Sequence, residues 1–169
     1  MAFNDTIKGV LPDYAKDTKL NLDAVLLRST LDADVAIGCA VAALAATGNG
    51  KVLSILLADG PVYAEAAMTA ASIMAQNNVW YPYVEMADDP NLKGLPAQLR
   101  MNAIANHGGT TKANFEAFSL AASIVGKCHF CVKAHYETLK TEEGYTTEQL
   151  RDIGRIASVM NSVAKVLNS

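Results

Sequence analysis

From Val35 to Ala46 the chain reads VAIGCAVAALAA, twelve residues with no ionisable carboxylate, ammonium or amide side chain among them. A membrane span needs about 20 apolar residues, so this run reads as a buried helix. Its borders agree. Asp32 and Asp34 stand near its start, and Gly48, Asn49 and Gly50 supply left-handed stop residues after Thr47. A helix that is apolar all round must be covered by other elements, and the rest of the chain supplies helical patterns to cover it.

The last of these patterns is the clearest. Between Thr147 and about Leu167, apolar residues fall at Leu150, Ile153, Ile156, Ala157, Met160, Val163 and Ala164, a three-and-four spacing that marks one core-facing stripe. Further helices are expected over Asp13–Leu31, from Pro61 to about Asn77, over Ala97–Asn106, over Lys112–Val125 and over Cys128–Lys140. Pro82, Pro90, Gly94 and Pro96 read as a broken connection between them. No run of alternating residues demands a strand. The expected fold is all-α, one compact domain over residues 1–169, a length that buries roughly 70% of the unfolded chain's surface.

The formal charge of −3 gives no broad reason to bind nucleic acid or an anionic membrane. The opening segment MAFNDTIKGVLPDYAKD lacks the basic start and apolar stretch of an export signal. A cytoplasmic location is therefore expected, and there a lone C-x-x-C pair, read as exposed and reversible, is catalytic or metal-binding more often than structural.

Glu65–Ile73 reads EAAMTAASI and Glu116–Ile124 reads EAFSLAASI, matching at six of nine positions with an offset of 51 residues. This suggests an internal duplication, with a degenerate copy around residues 61–86 and an active copy around 112–140. The register places Asn77 opposite Cys128, Trp80 opposite Cys131 and Val84 opposite His135. Pro82 would interrupt the second helix of the first copy, and all the reactive groups belong to the second.

On a helix, at about 100° per residue, Cys128, Cys131 and His135 project within roughly 60° of one another. Cys128 would stand in the first turn of a new helix, where free N–H groups and the helix dipole favour a thiolate. Glu116 would lie about 18 Å away on a continuous helix, so it joins the group only if the chain turns, and Gly126 offers the turn. His135 would then exchange a proton with a cysteine under the orientation of Glu116. The residues alone leave a redox pair, a zinc clamp and a shared capping role for Glu65 and Glu116 all open.

Glu116, Cys128, Cys131 and His135, spaced this way in an all-helical chain with a degenerate first repeat, resemble the AhpD-like alkylhydroperoxidases, relatives of the carboxymuconolactone decarboxylases. The resemblance implies a thiol-dependent antioxidant enzyme that reduces peroxides and regenerates a two-cysteine peroxiredoxin. It implies a dihydrolipoyl group on a carrier protein as electron donor, no tightly bound cofactor and a homotrimer. In that scheme Cys131 forms the sulfenic acid, Cys128 gives a proton and closes the disulfide, and His135 with Glu116 relays protons. The chain departs from the family at Phe130, where the pattern has a histidine, and His129 sits about 100° away around the helix. This departure predicts better dithiol exchange than direct peroxide reduction.

Three other readings compete. A zinc site would use Cys128, Cys131 and His135 with His107 or Cys39 as fourth ligand. An acid–base enzyme on the same fold would have no need of the thiols. A helical oligomerisation module would leave them inert. Cys39 reads as core and His107 as a surface or capping residue. Trp80, Tyr81 and Tyr83 read as core or subunit contact.

Overall fold

The computed structural model describes residues 1–168, and among them every regular element is helical. The apolar run forms α3 once its neighbours are numbered: α1 (Ala2–Val10), α2 (Lys16–Leu27) behind a 3₁₀ turn at Asp13–Ala15, and α3 (Ala33–Thr47). Then follow α4 (Gly50–Leu57), α5 (Ala64–Ala87), α6 (Pro90–Lys93), a 3₁₀ segment at Asn102–Gly109, α7 (Lys112–Gly126), α8 (His129–Thr141) and α9 (Thr147–Val166).

α3 is the centre of the domain and packs on α5, α7 and α9. Its small residues permit this, since Ala36, Ala40, Ala42 and Ala43 have no exposed surface. Gly38 lies against the Phe118 ring of α7, which would overlap any Cβ placed there. The ends follow local chemistry. Asp32 caps α3 by accepting the Asp34 N–H at 3.0 Å, and Gly48 closes it with φ 76°. Thr146 and Gln149 form a reciprocal capping box on α9, at 2.9 and 3.2 Å. All seven residues of the α9 stripe are buried.

α1 is an element that the sequence pattern does not mark, and three expectations fail, each for a tertiary reason. The opening segment is helical as α1 because Phe3 and Ile7 bury completely and the Phe3 N–H donates to Asp59 at 2.9 Å. The helix expected from Pro61 starts at Ala64 and does not stop near Asn77 or at Pro82, but continues to Ala87. Proline costs about 3 kcal/mol in a helix interior. Here Ala66 to Asn77 are held against α3 and α7, and the helix passes through. The segment Ala97–Asn106 is not an α-helix: Gln98 takes φ 53°, and only Asn102–Gly109 coils, as 3₁₀. The third failure concerns the turn after α7 and belongs to the site.

Asp152 on α9 ties the α2–α3 loop down. It is 1% exposed and accepts the Thr30 N–H at 2.8 Å, the Thr30 hydroxyl at 3.0 Å, and Arg151 and Arg155 at 3.0 Å each. Burial pushes its carboxyl up, but the Thr30 donors and the two guanidinium groups more than offset this and hold it at about 2, below the ordinary 3.8. With the folded value depressed, the stabilisation is present above the ordinary carboxylate range and is lost as pH falls toward 2. Asp152→Asn should lower stability at pH 7 by about 3 kcal/mol, the scale for breaking a buried charged network. Urea titrations at pH 7 and pH 3 check this: the variant should lose less on acidification than the parent, and equal losses would refute the assignment.

Candidate active site

α7 and α8 form a helical hairpin whose turn makes the site. Thr111 caps α7 by accepting the Asn114 N–H at 3.2 Å, and Glu116 lies on its second turn. The turn occurs at Lys127, which adopts the left-handed conformation with φ 56°, and not at Gly126. Gly126 is still helical. Its hydrogen is needed because Asn78 of α5 fills the space a Cβ would take, and the Asn78 side-chain amide donates to the Ala122 carbonyl at 3.3 Å. The glycine thus serves helix packing and the lysine makes the bend.

After this bend Cys128 is the N-cap of α8, and its Sγ accepts the Cys131 N–H at 3.2 Å. Cys128 and Cys131 are joined by a disulfide with a Cα–Cα separation of 5.3 Å. In the dithiol form, the same N–H and the helix terminus are placed to hold negative charge on Cys128 Sγ once that thiol has given up its proton. The backbone carbonyl of Asn77 lies 3.9 Å from Cys128 Sγ. Both cysteines are buried, at 0% and 3% exposed, so the pair is not the exposed one expected. α5 crosses over it.

One turn beyond Cys131, His135 Nδ1 lies 2.6 Å from Glu116 Oε2, with the two side chains 17% and 16% exposed. The short distance and partial burial make a charge-assisted bond that fixes the ring. The other ring nitrogen, Nε2, lies 3.2 Å from Met74 Sδ of α5. Carboxylate and thioether both accept, so the pocket accommodates a ring that has taken up a proton on each nitrogen. Nothing in the sequence marks Met74 as a neighbour. The contact arises where α5 crosses α8.

The remaining candidates lie apart. Cys39 is fully enclosed in α3, and burial pushes its thiol well up, out of reach of ionisation. His107 sits in a left-handed turn at φ 53° beside Phe115. Among the described residues no group of three or more His, Cys, Asp or Glu side chains is placed to hold a metal ion. Phe130 is 56% exposed and stacks on Tyr81 with ring centroids 4.3 Å apart, while Trp80 packs on Tyr83 at 5.8 Å. Trp80, Tyr81 and Phe130 share an apolar groove of about 650 Å³ on one side of the first turn of α8. A second cleft, of about 500 Å³, adjoins it at His129 and Lys133, and its lining includes Cys128. No helix among the described residues is long and apolar enough to cross a membrane.

Comparison with known proteins gives a consistent picture. A family model described as the carboxymuconolactone decarboxylase family matches residues 90–169, which include α7, α8 and α9. The chain is 42% identical over 170 residues to the alkyl hydroperoxide reductase AhpD of Rhodospirillum centenum, covering 98% of this chain and 90% of that one. It is 40% identical over 172 residues to the AhpD of Anaeromyxobacter dehalogenans, covering 99% and 91%, and 40% identical over 169 residues to that of Coxiella burnetii, covering 95% and 94%. With near-complete coverage at this identity, an all-helical fold and a turn that joins Cys128 to Cys131 beside the His135–Glu116 pair, the chain belongs to the AhpD-like alkylhydroperoxidases of the carboxymuconolactone decarboxylase-related superfamily.

Proposed function

We propose that this protein is an antioxidant oxidoreductase that reduces alkyl hydroperoxides, and regenerates a two-cysteine peroxiredoxin, through a Cys128/Cys131 dithiol–disulfide cycle. The observation that carries the reading is the disulfide at the N-terminus of α8 with a hydrogen-bonded His135–Glu116 pair one turn further on. The relatives named alkyl hydroperoxide reductase support it.

The Cys131 thiolate attacks the distal peroxide oxygen, the O–O bond breaks, and the departing alkoxide takes the Cys128 proton to leave as an alcohol. Cys131 is now a sulfenic acid. The Cys128 thiolate, held by the Cys131 N–H, attacks that sulfur, and the hydroxyl leaves as water with a proton relayed by His135 and Glu116. A dithiol then reopens the disulfide by exchange and becomes a disulfide itself. The donor is a dihydrolipoyl group on a carrier protein. No tightly bound cofactor takes part, and the location is cytoplasmic.

The protein acts as a homotrimer. Val79, Tyr83 and Met86 support an oligomer, because they form an exposed apolar stripe on α5 at 70%, 50% and 78% exposure. The first repeat is a degenerate copy that matches the second over its first helix alone, since α5 runs unbroken to Ala87 where the second copy bends at Lys127. The contact between Asn77 and Cys128, which the 51-residue register pairs, supports a related crossing of the two helices.

Thiol counting with peptide mapping, before and after peroxide, tests the cycle. The reduced protein should lose two thiols, both in the Cys128–Cys131 peptide, and keep Cys39 free. Dihydrolipoamide should restore them, and stoichiometric zinc with no reducible bond would overturn the reading. In the same assay Phe130→His tests whether a second acid beside Cys128 speeds departure of the oxygen: the outcome expected of a weakened peroxide step is a selective gain in peroxide reduction, of up to about 10²-fold, with little change in disulfide reduction. Equal effects on both, or no gain, would show that His129, water or Cys128 already supplies the proton and that Phe130 carries no such penalty.

A further inference from the structure

The cleft beside Cys128 is edged by Lys127, Lys133 and Lys140, with Glu137 as the one carboxylate in its lining. This is an uneven use of charge, because the chain as a whole carries −3. The three lysines come from two places in the fold. Lys127 is the left-handed bend residue, while Lys133 and Lys140 stand seven residues apart on one face of α8. Lys140 is held in place with its ammonium 5.9 Å above the Tyr136 ring, which also lines the cleft.

The neighbouring carboxylates do little to cancel this field. Glu137 approaches Lys133 only to 4.0 Å, with both side chains well exposed. Glu142 and Glu143, at the end of α8, are both taken up by Lys112. Glu85 faces His129 at 4.0 Å, on the side toward the aromatic groove. The floor and walls of the cleft are largely apolar, with Val132 and Tyr136 between the charged edges.

We infer that this lysine-edged cleft is the docking surface for an acidic face of the protein that delivers the reducing dithiol. The inference rests on the redox reading above and adds where the donor lands and what its surface carries. A dithiol on a flexible arm fits the apolar floor beside Cys128. The surrounding carboxylates of its carrier fit Lys127, Lys133 and Lys140. Because both cysteines are enclosed, productive exchange depends on holding the donor over an approach such as this one, and an oriented electrostatic contact does that and raises the encounter rate.

The test uses three probes on the full-length oxidised protein: free dihydrolipoamide, a dihydrolipoyl-lysine peptide flanked by glutamates, and the same peptide flanked by lysines. The rate of disulfide reduction is followed by thiol counting. At low ionic strength the acidic peptide should react at least about 10-fold faster than the basic one, and about 0.5 M salt should collapse the difference, since the Debye length is then only about 4 Å. In Lys127→Glu/Lys133→Glu/Lys140→Glu the preference should invert. That ratio is independent of how much protein is active, and circular dichroism confirms that the variant is folded. Equal rates for the two peptides, or a preference unmoved by salt and by the triple variant, would overturn the docking surface while leaving the redox cycle standing. Failure of dihydrolipoamide to reduce a disulfide that dithiothreitol does reduce would overturn the lipoyl donor and the docking surface together.

Discussion

Cys131→Ser should abolish lipoyl-dependent peroxide turnover, with a loss of at least about 10³-fold, the scale on which removing a nucleophile acts. Cys128→Ser should lose turnover to a similar degree but for a different reason. Its Cys131 still reacts with peroxide once and then has no partner thiol, so a sulfenic acid accumulates. A sulfenic-acid-specific label read by mass spectrometry separates the two variants. It should appear at Cys131 in Cys128→Ser and be absent from Cys131→Ser. Labelling of Cys128 instead would reverse the assigned roles. Cys39→Ser should leave turnover unchanged, because that thiol is enclosed in α3 and held protonated by its burial.

The second large effect concerns the relay. His135→Gln and Glu116→Gln should each lower peroxide turnover by about 10²-fold, the lower end of general acid–base contributions. Their 2.6 Å contact makes them one unit, so the double variant should be no slower than His135→Gln alone. Glu116→Gln keeps an acceptor for the ring N–H but removes the carboxylate charge. It should therefore change the pH profile of turnover more than it changes stability. Additive losses, or equal losses in stability and in rate, would show that the pair only holds α7 against α8.

The docking surface and the relay divide the site between them. The relay lies under α5, where Met74 closes the other edge of His135 at 3.2 Å, and the lysine-edged cleft lies on the open side of α8. A donor that docks at the cleft need not displace the relay. The two sets of variants should therefore affect different steps of the same cycle, disulfide reduction for the lysines and peroxide reduction for His135 and Glu116.

Much of this was readable in the chain itself, wherever the cause is local. The stripe from Leu150 to Ala164 follows from helical spacing, and the ends of α3 near Asp32 and at Gly48 follow from capping chemistry. The nearness of Cys128, Cys131 and His135 follows from a rise of about 1.5 Å per residue. Even the need for a turn before Cys128 follows from the distance to Glu116. What the sequence could not decide was where segments far apart in the chain cross. Gly126 looks like the bend, yet the bend is at Lys127, because Asn78 of another helix claims the space over the glycine. Pro82 looks like a stop, yet α5 continues, because its earlier turns are held against α3 and α7. Met74 against His135, Tyr81 against Phe130 and the enclosure of both cysteines are likewise products of those crossings. Backbone geometry acts over a few consecutive residues and is written in them; helix crossings are set by the volumes of side chains forty to sixty positions apart, and only the packed structure brings those together.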